Sequence, residues 1–273
     1  MSEHVNELAG QAQGIARDAK DHPALHAAVR VGYAGSGVIH LLIAWAALGI
    51  AWAPSGGGTA DQSGALAQVA AQPWGRPLLW VTVVGFAGLG LWQLTEAIGG
   101  WHPHGRDGLA ARSKALGKMV AYLALGWTAA TFARGGSSDS STQTTDATRT
   151  LMSGAGGQFL VALLGVAVIS IGAYHVFKGW TKKFLEDLVT DPGEVAEQAG
   201  RYGYMAKGVA LAIVGGLFIV AAWHARANEA RGLDGALRTL AETPHGTVLL
   251  TVVAVGIAAY GLYSFFRARY TKL

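Results

Sequence analysis

Five charged side chains stand inside or at the ends of stretches that are otherwise apolar: Glu96, Lys118, Lys178, Lys207 and Arg267. Gln93, Tyr122, His175 and His40 lie a little deeper in the same stretches. A charge at the centre of a bilayer costs about 2.5–3.5 kcal/mol on insertion scales, so such residues are functional candidates by default. Glu96 is the one acid in the set, which carries an excess of three positive charges when both histidines are neutral. Three chemistries suit it. Lysine and arginine near the end of an apolar helix reach back to the interface, with Glu96 pairing with Lys118 or Lys178. Alternatively the cations converge on a basic pocket for a phosphate or carboxylate, from a lipid headgroup or a soluble anion. A proton relay through His175 and Glu96 is the third. His40, about two turns inside its helix, reads as a helix–helix hydrogen bond rather than a ligand.

The positions of these residues follow an internal repeat. Arg30, Arg112 and Arg201 open three similar segments, RVGYAGSGVIH, RSKALGKMVAY and RYGYMAKGVAL, spaced 82 and 89 residues apart. Tyr33 matches Tyr204, and Lys118 matches Lys207, with Ser36 in the first copy. Further on, ALAQVAAQPWG, ATRTLMSGAGG and ALRTLAETPHG align without gaps and end in Gly75, Gly157 and Gly246. Each reads as a short amphipathic helix closed by a breaker. The next matching glycines are Gly90, Gly172 and Gly261, followed by Trp92, Tyr174 and Tyr263 and then by Glu96, Lys178 and Arg267. Every copy therefore finishes G-x-[WY]-x-x-x-[charge]. Gln93, His175 and Ser264 stand three residues before those charges, on the same helix face.

The elements that must position these groups are long apolar helices. The chain has 273 residues, 51% hydrophobic and 14% charged, where a soluble domain carries about 25% charged. Its mean hydropathy is positive. The apolar residues fall into six blocks, roughly 31–53, 77–98, 115–133, 159–178, 203–224 and 247–266. At 1.5 Å per residue each reaches about 30 Å, a bilayer's hydrocarbon thickness. The expected fold is all-α: an integral membrane six-helix bundle made of three parallel two-helix repeats. The repeats share one facing, so a pseudo-threefold axis along the membrane normal is expected. Residues 1–29 form an N-terminal segment with a weak amphipathic helix, and 30–111, 112–200 and 201–273 are the repeats of one membrane domain. The repeat glycines are expected where helices approach closely.

Lysine and arginine sort by side. Twelve lie in the N-terminal segment, the loops 99–114 and 179–202 and the tail, against six in the other loops. The positive-inside rule puts both termini in the cytoplasm and the protein in the plasma membrane. The same bias accounts for the net charge of +4 without a nucleic-acid partner. The first 30 residues contain no apolar core of a cleavable signal.

Those repeat residues carry a resemblance. Three copies of a [YF]-x-x-x-G start, a loop ending in glycine and a G-x-Y finish resemble the family known as domain of unknown function 1206. That family is bacterial, mainly actinobacterial, and the resemblance covers about residues 30–270. Copy two departs from the pattern, with Ala115 in place of the starting tyrosine and AGG in place of P-x-G. The resemblance implies a six-helix bacterial membrane protein and supplies no activity or catalytic residues.

Other candidates read as structure. His102 and His104, one residue apart in WHPHG, suit a turn better than a metal site. The nine tryptophans sit mostly at span ends, as an interfacial belt does. With no cysteine there is no thiol, disulfide or iron–sulfur chemistry. The Ser/Thr-rich loop 135–150 is expected to be flexible, and no nucleophile-and-base spacing or phosphate-binding glycine motif appears. The expectation is a non-enzyme without cofactor or metal. The reading is an accessory or scaffold protein that binds membrane lipid, an anionic one included, or another membrane protein. The alternative is a small transporter or channel with a cytoplasm-facing basic pocket for an anionic substrate. Glu96, the single acid, is expected to matter more to folding than Arg267.

Overall fold

Helix starts are written into the chain. His22 accepts a hydrogen bond from the Ala24 amide at 3.2 Å, and Pro23 follows with its helix-ready φ and no N–H to satisfy. Asp61 and Asp139 cap two further helices by accepting from Gly64 and Thr142. The computed structural model describes residues 2–53, 58–99 and 106–273. Among these it has ten α-helices: α1 Ser2–Lys20, α2 Pro23–Trp52, α3 Gln62–Ala70, α4 Gly75–Gly99 and α5 Arg106–Ala133. They continue as α6 Ser140–Met152, α7 Gly157–Trp180, α8 Glu194–Trp223, α9 Gly232–Ala241 and α10 Gly246–Tyr270. No strand occurs among the described residues beyond one isolated antiparallel bridge, Leu188 with Thr271. Trp101, His102 and His104 lie outside the described residues.

Five helices, α2, α4, α7, α8 and α10, are long and apolar enough to cross a membrane. The chain is accordingly read as a membrane protein. The sixth predicted span, in α5, is helical over 28 residues but is not as apolar. Lys118 and the hydroxyls of Thr128 and Thr131 dilute it, each hydroxyl bonded to the carbonyl four residues back.

α3, α6 and α9 lie together at one end, here the cap end. The termini, with α1, lie at the other, here the basal end. Each short helix runs directly into a long one through the first glycine of α4, α7 or α10. A Cβ at Gly75, Gly157 or Gly246 would strike the carbonyl of Val69, Leu151 or Ala241, so only glycine allows the tight return. α6 corrects the expectation of a flexible 135–150 loop. Asp139 caps it, and Thr144 and Thr148 return their hydroxyls to the carbonyls of Ser140 and Thr144. The polar side chains thus satisfy the helix instead of competing with it. α1 is also longer than expected and packs on α4.

α2 packs against α4 and α10, α4 against α5, α10 against α8, and α8 against α7. Small residues set these approaches. A Cβ at Gly261 would lie 3.0 Å from the Gly37 carbonyl, and one at Gly172 2.6 Å from that of Gly208. Gly165 faces Gly215 in the same α7–α8 seam. Gly90 receives the Leu123 side chain of α5, close to Met119. Beneath the short helices the core is apolar: Leu66, Leu79, Leu237, Leu250, Ile43 and Ala47 are at most 1% exposed. α5 and α7 do not pack along each other.

Candidate functional site: a basic cluster at the basal end

The cluster is built by the last turns of α7 and α10, the middle of α2, α5 and α8, and the 3₁₀ turn Lys183–Asp187. Asp187 is its centre. It accepts from the Lys178 ammonium at 2.6 Å and pairs with the Arg267 guanidinium at 3.4 Å. Burial alone would raise the Asp187 carboxyl, but Arg267 and Lys178 overcome that and hold it below the ordinary aspartate range. Arg267 also lies over the Tyr33 ring at 4.4 Å and donates to the Tyr204 hydroxyl at 3.3 Å. Its buried Nε has no hydrogen-bond partner.

Lys207, on α8, lies 4.2 Å over the Tyr260 ring. His40 approaches it from α2, its Nε2 3.4 Å from the ammonium. The His40 Nδ1 bonds the Ser36 carbonyl at 2.7 Å. A carbonyl only accepts, so in neutral His40 the proton sits on Nδ1 and Nε2 is free to accept from Lys207. Lys118, on α5, is within electrostatic range of Arg267, Lys114, Asp187 and Lys178. Among the described residues no carboxylate pairs with Lys118 or Lys207. Asp187 thus serves Lys178 and Arg267 directly and Lys118 at longer range, while Lys207 meets only His40 and the Tyr260 ring among the described residues.

The 3₁₀ turn plugs this end between α7, α8 and α10. Phe184, fully buried, packs on the Tyr204 and Tyr263 rings at 5.5 and 5.1 Å. The Tyr263 hydroxyl donates to the Phe184 carbonyl at 3.2 Å. The C-terminal tail ties the plug down: the Val189 amide donates to Tyr270 and the Lys272 amide to Asp187, at 2.8 and 3.0 Å.

The three repeat-matched charges fare differently. Lys178 and Arg267 converge on Asp187. Glu96 does not join them; it pairs with Lys20 of α1, and Lys20 also lies over the Trp92 ring at 4.8 Å. That pairing replaces the expected one with Lys118 or Lys178. Gln93 is buried on the same helix. His175 bonds its own Ile171 carbonyl at 2.8 Å and faces the Tyr204 ring at 5.7 Å, so no contact joins it to Glu96. Tyr174 stands exposed at the edge, under the Lys114 ammonium.

Asp187, Phe184 and Tyr260 were not singled out from the sequence, whereas Tyr33, Tyr204 and Tyr263 were named there as repeat positions. The apolar Phe184, Leu185 and Leu188 within a charged loop are the signal that it folds back onto protein. Two cavities lie elsewhere. One is an apolar crevice of about 230 Å³ between α2, α3 and α4, and the other an open depression beside Arg149 and Arg226. Neither is lined by a member of the cluster. Among the described residues, no group of three histidine or carboxylate side chains could hold a metal.

The sequence pattern described as Domain of Unknown Function (DUF1206) matches the chain three times, over residues 31–100, 114–182 and 202–271. The chain is 30% identical over 252 residues to the uncharacterized protein YxxB of Bacillus subtilis (strain 168), covering 89% of this chain and 90% of that one. No solved structure matches.

Proposed function

Given that the chain belongs to the DUF1206 family, we propose that it is an accessory membrane protein that crosses the bilayer six times and binds an anionic oxyacid group at its cytoplasmic end. The sixth crossing is α5, which lies alongside α4. Six crossings place both termini on one side, and the excess of basic residues at the basal end makes that side the cytoplasm. Corresponding contacts recur at α4–α5, α7–α8 and α10–α2, through Gly90, Gly172 and Gly261. They support three parallel hairpins about a pseudo-threefold axis.

The observation that carries the function is the charge balance of the basal cluster. Lys178 and Arg267 pair with Asp187, Lys118 feels it at longer range, and among the described residues no carboxylate pairs with Lys118 or with Lys207, which meets His40 and Tyr260. An unpaired cation in a membrane-embedded end is costly, and a bound anion removes the cost. At an effective dielectric of about 20, an anion about 4 Å from one ammonium gains about 4 kcal/mol. Phosphate and carboxylate both have the required charge and acceptors. A path across the membrane is disfavoured by the apolar side chains that fill the cap half. The reading is of a binding protein.

Native mass spectrometry of the detergent-purified protein tests it. The wild-type protein is expected to carry an anionic adduct, and Lys118→Gln/Lys207→Gln to lose at least about tenfold of it, the equivalent of about 1.4 kcal/mol. Adduct-free wild-type protein, or equal retention by the variant, contradicts the reading.

A further inference from the structure

We infer that the bound anion is the headgroup of an acidic glycerophospholipid, which enters sideways from the cytoplasmic leaflet between α5 and α7. This rests on the anion-binding reading and adds the source of the anion and its route.

The route follows from a difference among the repeats. In copy one α2 packs on α4, and in copy three α8 packs on α10, but in copy two α5 and α7 stay apart. The sequence explains why. Gly32 meets Gly85 in copy one; a Cβ on Gly32 would lie 2.5 Å from the Gly85 carbonyl. In copy three Gly203 meets the Tyr260 backbone, where a Cβ would lie 2.5 Å from its Cα. The matching residue of copy two is Lys114, and Gly85 is replaced there by Ala167. A lysine cannot occupy a glycine contact. Its ammonium instead spans the mouth of the opening, 3.4 Å from the Tyr174 hydroxyl and 4.9 Å from the centre of its ring. That contact is exposed, and an exposed hydrogen bond is easily exchanged.

The source follows from what is closed and what is open. From the cytoplasm along the axis, Phe184 and Asp187 block the cluster, tied to the C-terminal tail. From the side, the exposed Lys114–Tyr174 contact spans the opening. α7 packs along α8 and meets α6 and the 3₁₀ turn, and 17% of its apolar stretch is buried against 56% in α4. The walls grade from charged to apolar. Lys114, Lys118 and Tyr122 share one face of α5, and Lys178, His175 and Ile171 share one face of α7. Cations at the basal mouth with apolar surface deeper match a phosphate headgroup followed by an acyl chain.

The chain has no cysteine, so cysteines placed at the mouth react alone. Lys114→Cys/Tyr174→Cys is prepared in nanodiscs containing phosphatidylglycerol and divided in two. One half is joined by a short bis-maleimide, and the other is blocked with N-ethylmaleimide and left unjoined. Isotope-labelled phosphatidylglycerol is then supplied in vesicles, and exchange is followed by native mass spectrometry. The blocked sample is expected to exchange its lipid, and the joined sample to do so at least tenfold more slowly. Equal rates overturn the lateral route. Inorganic phosphate is titrated in parallel against wild-type protein and Lys207→Gln. Lys207-dependent phosphate binding that phosphatidylglycerol does not compete with overturns the lipid assignment but leaves anion binding intact. Failure of both ligands to bind in a Lys207-dependent way removes the anion-binding reading itself.

Discussion

The cap end and the basal end are made by the same repeated helices, yet their interiors are opposites. At the cap end, the residues four places after Gly75, Gly157 and Gly246 are Leu79, Val161 and Leu250, all with no exposed surface. There the repeat keeps one job in all copies. At the basal end, the matched positions Glu96, Lys178 and Arg267 have diverged, and so have Trp92, Tyr174 and Tyr263. Trp92 is buried against Lys20, Tyr263 is buried against the plug, and Tyr174 is exposed at the mouth. A repeat that holds its apolar layer while varying its charged layer is what the proposed anion site at the basal end requires.

Substitutions at each end sharpen that contrast. The largest stability effect is expected from Leu250→Ala, which empties a filled cap-end position and should cost about 2–5 kcal/mol. Thermal unfolding in detergent measures it, and anion retention among the folded molecules should be unchanged. A loss of the adduct would mean that the two ends are not independent. Asp187→Asn is expected to cost less, about 1–2 kcal/mol, because its partly exposed carboxylate has two cationic partners rather than a packed cavity. It should speed proteolysis within residues 181–192 and strengthen anion retention, since the competing carboxylate is gone. Acid acts on the same group. Its carboxyl is depressed in the folded protein, so its contribution is present above the unfolded aspartate value of about 3.9 and fades as pH falls through the folded value. Plug protection that is the same in wild-type protein and Asp187→Asn at neutral pH would argue against Asp187 as the tie.

Much of the scaffold was legible in the sequence. Apolar blocks of bilayer length, glycines at matched spacing and three similar openings point to long helices in tandem, because these depend on local composition and period. The site was legible in part. Lys118, His175, Lys178, Lys207 and Arg267 were chosen as polar groups in apolar surroundings, and the structure brings them together. Glu96 was grouped with them for the same reason, but helix α1 draws it to Lys20. Which partner a side chain meets depends on tertiary packing that no period encodes. For that reason Arg267→Gln is now expected to cost more than Glu96→Gln, the opposite of the order expected from the sequence. The Glu96–Lys20 pair is partly exposed and worth about 0–1 kcal/mol, whereas Arg267 sits among Asp187, Tyr33 and Tyr204. Asp187 was missed because it lies in a loop, outside the apolar blocks that drew attention. The first half of α6 was missed because serine and threonine favour turns unless, as here, their hydroxyls return to the helix carbonyls.

The most direct test of the central claim is a structure of the protein in a nanodisc of acidic phospholipid. The account predicts phosphate density within hydrogen-bonding distance of the Lys118 and Lys207 ammonium groups, continued by an acyl chain between α5 and α7. A basal cluster holding only water, with α5 closed onto α7, would contradict it.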